Sequence, residues 1–189
     1  MEAKLPKLFM LLVGCRPPGR NTEQHDTFFS IAPTVKDLVP GLKAFWPEAK
    51  KNLHIDAWRE VRQVDGYTVE VHPRGEVTEQ EVDVRLFFIN LGGYKRDEFD
   101  EFHYKLIIAA ADKGAAIMRA KDTAFFRHTG FKGATAHVDD KYGVDVDDVY
   151  ELTDILPEDI KKQYAIVLTK AGEEKEDELH LGYFRLDKL

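Results

Sequence analysis

The sequence is poor in the features that mark special classes of protein. It holds a single cysteine, Cys15, so no internal disulfide can form and an oxidising compartment offers the fold no staple. Lysine and arginine together number 27 against 34 aspartates and glutamates, a formal net charge of −7. The chain therefore lacks the positive field that nonspecific binding to a phosphate backbone requires, and nucleic acid is not an expected partner. No apolar stretch approaches the roughly 20 residues of a membrane helix; the run in LPKLFMLLVGC is far shorter and is followed directly by two prolines. No charged start leads into an apolar run and a small-residue cleavage site. The expectation is a cytoplasmic protein with no membrane partner. Motifs that specify a reaction are missing too. Gly92-Gly93 lacks the G-x-G-x-x-G spacing of a phosphate-binding turn, and VDVDD at 144–148 lacks the glycine and terminal glutamate of a calcium loop.

What is present suffices for a core. The 189 residues are 43% hydrophobic and 32% charged, the balance of an ordinary globular protein. A single body of this size would bury roughly 70% of the surface its unfolded chain exposes. KLFMLLV at 7–13, stopped by Gly14, reads as a strand buried on both faces. CRPPGRN at 15–21 reads as an exposed loop, because its prolines and glycine break regular structure. A second strand is expected over 23–32. A helix capped by Thr34 should follow, weakened by Pro40 and Gly41. A third strand over 53–61 and a fourth over 67–72 are joined through Asp65-Gly66, a hairpin signal. Later, EFHYKLIIAA reads as a strand, Asp112 as the cap of a helix KGAAIMRAK, ILPEDIKKQY as a short helix, and AIVLTK and ELHLGYFRL as a strand hairpin around the charged turn AGEEKEDE.

The chain also resembles itself. HIDAWREVRQVDGY at 54–67 and HVDDKYGVDVDDVY at 137–150 share H-[IV]-D-x4-V-x3-D-x-Y, which equates His54 with His137, Asp56 with Asp139, Val61 with Val144, Asp65 with Asp148 and Tyr67 with Tyr150. Laying the stretch from Lys7 over that from Arg85 without a gap matches Leu8 with Leu86, Phe9 with Phe87, Gly14 with Gly92, Glu23 with Glu101 and His25 with His103. The expected fold class is α+β, with two tandem β-β-α-β-β-like repeats forming a pseudo-twofold mixed-sheet body. The first repeat spans 1–73, a polar linker 74–83, and the second repeat 84–189, which takes in the C-terminal helix and strand hairpin. With both H-x-D-x4-V and both E-x-H motifs in place, the chain resembles a bacterial family catalogued as domain of unknown function 1543, whose module occurs singly or in tandem. That resemblance implies the duplication and no particular reaction. The second copy departs from the pattern in its loop, where GGYKRDEF replaces GCRPPGRN.

In a strand, residues i and i+2 share a face, so Glu23 points with His25, and His54 with Asp56. If the segment at 35–46 crosses between parallel strands, both pairs lie at one rim of the sheet, next to Arg16 and Arg20. Glu101, His103, His137 and Asp139 should do the same in the second copy. Three readings follow. Each set of two imidazoles and two carboxylates can hold a divalent metal, the cofactor these residues allow. A histidine oriented by its carboxylate can act as a base on a small anionic substrate gripped by Arg16 and Arg20. Or the pairs are hydrogen-bonded scaffold in a noncatalytic small-ligand binding or assembly protein, with a homodimer among the allowed assemblies. Cys15 is read as a small residue beside Gly14 rather than a nucleophile, because Gly93 takes its place in the second copy.

Overall fold

The computed structural model describes residues 5–77, 83–94, 97–129, 145–173 and 175–189. In chain order the strands and helices are β1 (Lys7–Cys15), β2 (Gln24–Ala32), α1 (Val39–Phe45), β3 (His54–Glu60), β4 (Gln63–Val64), β5 (Tyr67–Pro73), β6 (Arg85–Tyr94), β7 (Glu101–Ala110), α2 (Lys113–Thr129), β8 (Asp145–Glu151), α3 (Glu158–Gln163), β9 (Tyr164–Lys170) and β10 (His180–Arg185). The fold is α+β, with antiparallel sheets and few helices. The chain divides into unit 1, Met1–Val82 with Leu156–Leu189, and unit 2, Asp83–Ile155.

Unit 1 is built on β1. Six of its nine residues are buried and none is exposed, as befits a strand with a neighbour on each side in the sheet β10-β3-β1-β2. Phe9, Leu11, Val13 and Cys15 alternate onto one face and pack with Phe28, Leu38, Leu42 and Ile55, the period-2 pattern of a pleated strand. Because β2 and β3 both run antiparallel to β1, they are parallel to each other, and the segment between them is a crossover that passes over β1. The expected single helix is split: a 3-10 turn at Val35–Leu38 precedes α1, which carries Pro40 in its first turn, where a missing N–H costs nothing. Thr34 makes no capping bond; its hydroxyl donates to Asp37 Oδ2 instead, at 2.6 Å. Asp65 and Gly66 both have positive φ, 52° and 80°, the conformation of a type I′ turn. They join the two-residue β4 to β5, rather than β3 to β5.

The C-terminal segment corrects the expected boundary of the second repeat. β9 pairs with β5 and β10 with β3, so Leu156–Leu189 completes unit 1. The two strands enter different sheets and form no hairpin with each other. Their exposed backbone edges find partners in the first half of the chain, and strand pairing takes no account of sequence distance.

Unit 2 has the sheet β7-β6-β8. Phe87, Ile89 and Leu91 of β6 pack with Leu106, Ile108, Ala116 and Ala120, so α2 lies on that face. Asp112 caps α2, accepting the Ala115 N–H at 2.8 Å. Gly14 and Gly92 face His25 and His103 across their respective strand pairs, and the register is continuous along both. β3 on β1 and β8 on β6 each carry one bulge, at Leu12/Val13 and at Asn90/Leu91. In that register Asp145 stands opposite Gly92 as His54 stands opposite Gly14. The matching of 54–67 with 137–150 is therefore out of step: Asp148 and Tyr150 lie within β8, not in a turn and a following strand. HVDD at 137–140 and DVDD at 145–148 are near-duplicates, and the bulged pairing with β6 selects the second.

The charged turn after β9 is less solvated than its composition suggests. The Asp177 side chain is 2% exposed, accepts the Arg62 N–H at 3.1 Å and has Arg59 and Arg62 nitrogens 3.9 and 3.8 Å away. Burial pushes its carboxyl above the ordinary value of 3.8, against the opposing pull of that hydrogen bond and the two arginines. A value raised on folding means that ionisation is disfavoured in the native state. This group's contribution is thus most favourable below the unfolded pKa and is lost as pH rises through the folded one. Asp177→Asn should remove that loss. In urea titrations the variant should gain on the wild type as pH rises from the ordinary carboxylate range through the raised one, and a difference that stays constant over this range would contradict the assignment.

Candidate functional site

The rim residues meet over a glycine. Gly14 lies between His25 on β2 and His54 on β3, and Glu23 and Asp56, two residues from each histidine, extend the same face. A Cβ on Gly14 would come within 2.5 Å of Asp56 Oδ2, 2.7 Å of His54 Nε2 and 3.1 Å of His25 Cδ2. The missing side chain is the room in which the four groups converge. The glycine requirement is steric, since Gly14 shows no positive φ. Its signal in the sequence was the match of Gly14 with Gly92, read there as the end of a strand.

The contacts form a ring. His54 Nε2 is 3.0 Å from Glu23 Oε1 and 3.4 Å from Asp56 Oδ1. His25 Nε2 is 3.2 Å from Asp56 Oδ2 and 3.8 Å from Glu23 Oε2. Each carboxylate thus sets one oxygen beside each imidazole, and the closest pairings cross from strand to strand rather than following the i, i+2 pairs. The cause is the central β1: its glycine lets the side chains of its two neighbours meet above it. The ring nitrogen His54 Nδ1 is 2.9 Å from the Asn52 carbonyl. A carbonyl can only accept, so Nδ1 carries a proton and donates it. Nε2 is then the free end of a ring that is 3% exposed. It makes no hydrogen bond, nor does the buried Asp56 Oδ2.

A cleft of about 760 Å³ opens beside His54. Its walls carry Arg16 from the loop after β1, Lys43 from α1, and Lys50 and Lys51 from the turn before β3, with Tyr183 and Arg185 from β10, and the carboxylates of Glu23 and Asp187. Arg185 is engaged with Asp187 at 2.8 and 3.0 Å, and its hydrogen bonds hold the Asp187 carboxyl below the usual carboxylate range. Lys43, Lys50 and Lys51 have no carboxylate partner among the described residues. Lys50 is held at φ 50°, ψ −119°, an unfavourable conformation for a residue with a side chain. Tyr183 covers the His54 ring at 4.3 Å, from a strand bulge made with Gly182 at φ 144°. Arg16 Nε donates to the Arg20 carbonyl at 3.2 Å, so Arg16 reaches the cleft while Arg20 contributes its backbone. The lysines, Tyr183 and Arg185 were not singled out in the sequence; they come from segments with no motif.

In unit 2, Glu101, His103 and Asp147 gather with donor atoms all within 4.8 Å of one another. His103 Nε2 lies 3.3 Å from Asp147 and 3.9 Å from Glu101. Asp147 crowds the space above Gly92 as Asp56 does above Gly14. It takes the place expected for Asp139, and Asp145 the register position expected for His137; His137 and Asp139 themselves lie outside the described residues. All three unit 2 side chains are exposed, in contrast to His54. Cys15 is fully buried within β1 rather than in the exposed loop. Burial, then the charges of Glu23 and Glu48, push its thiol up, the opposite of what a nucleophile needs.

Residues 20–71, which include all four ring residues of unit 1, match the family model described as Domain of Unknown Function (DUF1543); this segment carries a module of that family. The whole chain has the fold of a crystal structure of a protein, Il1583, from Idiomarina loihiensis. The two share 22% identity and superpose with a TM-score of 0.59 over 96% of this chain and 97% of that one. No curated protein matches the chain.

Gly14→Ala tests the convergence. Overpacking against the pinned His54 should cost about 1–3 kcal/mol. Gly75→Ala, which meets nothing within 4 Å, should leave the thermal midpoint near or slightly above wild type. Equal midpoints for the two variants would show that Gly14 is not needed for space.

Proposed function

We propose that the protein is a small-ligand binding protein whose ligand is a compact, multiply charged anion, taken up in the cleft of unit 1. The observation that carries this reading is the group of cations Lys43, Lys50, Lys51 and Arg16, without carboxylate partners among the described residues, around a concave surface that also holds Glu23 and the Arg185–Asp187 pair in a chain of net charge −7. Like charges held together without partners repel, and an anion bound among them relieves the repulsion. The backbone strain at Lys50 is consistent with a turn shaped for binding rather than for its own stability. That turn is coupled to the ring, because Asn52, two residues on, orients His54. In this reading Arg16 is the anchor suited to bidentate contact with a carboxylate or phosphate, and the lysines act as point charges.

The recurrence of one strand register and one bulge in both units supports a duplicated β-β-α-β module. Unit 1 then carries the binding role, and unit 2 retains the glycine-centred cluster as scaffold.

Inorganic pyrophosphate and citrate are suitable probes, with a neutral sugar as control. At about 100 times its Kd a bound anion should stabilise the protein by about 2.7 kcal/mol, raising the thermal midpoint by roughly 5–10 °C for a chain of this size. The double charge reversal Lys50→Glu with Lys51→Glu should abolish the shift in low salt. If neither anion shifts the wild-type midpoint, or if the double variant responds as the wild type does, the reading fails.

A further inference from the structure

We infer that Glu23, His25, His54 and Asp56 bind one divalent transition-metal ion of the zinc class. The inference stands on the ring itself and does not rest on the anion cleft. His54 is committed through Nδ1–H to the Asn52 carbonyl, which leaves Nε2 as the ring nitrogen available to ligate a metal. That nitrogen is buried, without a hydrogen bond, and aimed into a space bounded by two carboxylates. Neither Glu23 nor Asp56 has a lysine or arginine partner among the described residues; their ion-pair contacts are to His25 and His54. Two facing carboxylates call for positive charge, and a divalent ion between two neutral imidazoles supplies it in full.

The four imidazole–carboxylate contacts around the ring measure 3.0, 3.2, 3.4 and 3.8 Å, and each carboxylate meets the two imidazoles with different oxygens, so a tetrahedral site with ligand atoms about 3.4 Å apart forms only when the carboxylates rotate. Binding would turn one oxygen of each carboxylate inward over Gly14. Two nitrogens with two oxygens suit zinc, cobalt, manganese or iron rather than calcium or magnesium. The tighter grouping of Glu101, His103 and Asp147 in unit 2 is the competing candidate. It has one imidazole against the ring's two, and so offers a borderline-soft metal less.

The test uses full-length apoprotein in buffer free of phosphate and carboxylate anions, titrated with cobalt(II) and zinc(II). Calorimetry and the visible d–d absorption of cobalt follow the binding. The wild type should take up one equivalent of cobalt with intense tetrahedral bands, displaced by zinc. His25→Ala and Glu23→Gln, both at exposed positions, should fold and bind more than about tenfold more weakly, whereas His103→Ala should bind as the wild type does. The inference is overturned by a wild type that binds neither ion, by His25→Ala and Glu23→Gln variants that keep wild-type affinity, or by loss of the bands in His103→Ala. Failure here leaves the anion-induced thermal shift unaffected, so the two readings can be separated.

Discussion

The absence of a side chain at Gly14 governs this structure's chemistry. β1 is the strand on which unit 1 is assembled, paired along its length with β2 and over most of it with β3. Any larger residue at that point would fill the space where His25, His54 and Asp56 meet. A central strand normally keeps its two neighbours' side chains apart, because its own side chain stands between them. Removing one Cβ converts that separation into contact, and four ionisable groups from two parallel strands share one volume. The antiparallel pairing of β1 with both strands brings their starts to the same rim, so the fold and the site are consequences of one arrangement.

Around that point unit 1 gathers charges of both signs. Among the described residues the ring's two carboxylates have ion-pair partners only in His25 and His54, and the lysines of the adjoining cleft have no carboxylate partner. Glu23 belongs to both sets, as a member of the ring and of the cleft wall. His54, oriented by the Asn52 carbonyl, lines the cleft as well. Its position is secured three times: by its strand, by Asn52, and by the Tyr183 ring laid over it from β10.

Unit 2 shows the same strand geometry with different chemistry. Gly92, His103, Glu101 and Asp147 occupy positions like those of Gly14, His25, Glu23 and Asp56, but Asp145 stands where His54 would. The segment that completes the first unit, with Tyr183 and Arg185, comes from the end of the chain. The two units therefore differ in what surrounds the glycine.

Much of this was legible locally. The apolar run of β1, the Asp65-Gly66 turn, the Asp112 cap and the side-sharing of Glu23 with His25 and of His54 with Asp56 depend on neighbours in sequence, and they appear as read, except that the turn joins β4 rather than β3 to β5. The convergence of both pairs at one rim followed from a crossover inferred from residue type. The register of β8 was not legible, because HVDD and DVDD present nearly the same pattern eight residues apart, and the choice is made by a bulged pairing with β6. Nor were Tyr183, Arg185 or the lysine wall, which have no periodicity or motif. By itself the amino-acid order determined which segments are strands, where the chain turns and which polar residues share a face, since these are set by short-range sterics and burial. Tertiary structure alone decided that the C-terminal strands return to unit 1, that Glu23 faces His54 and His25 faces Asp56, and that Gly14 makes room for His25, His54 and Asp56. Strand pairing is non-local, and its register rests on the sum of contacts along both edges rather than on any residue's own preference.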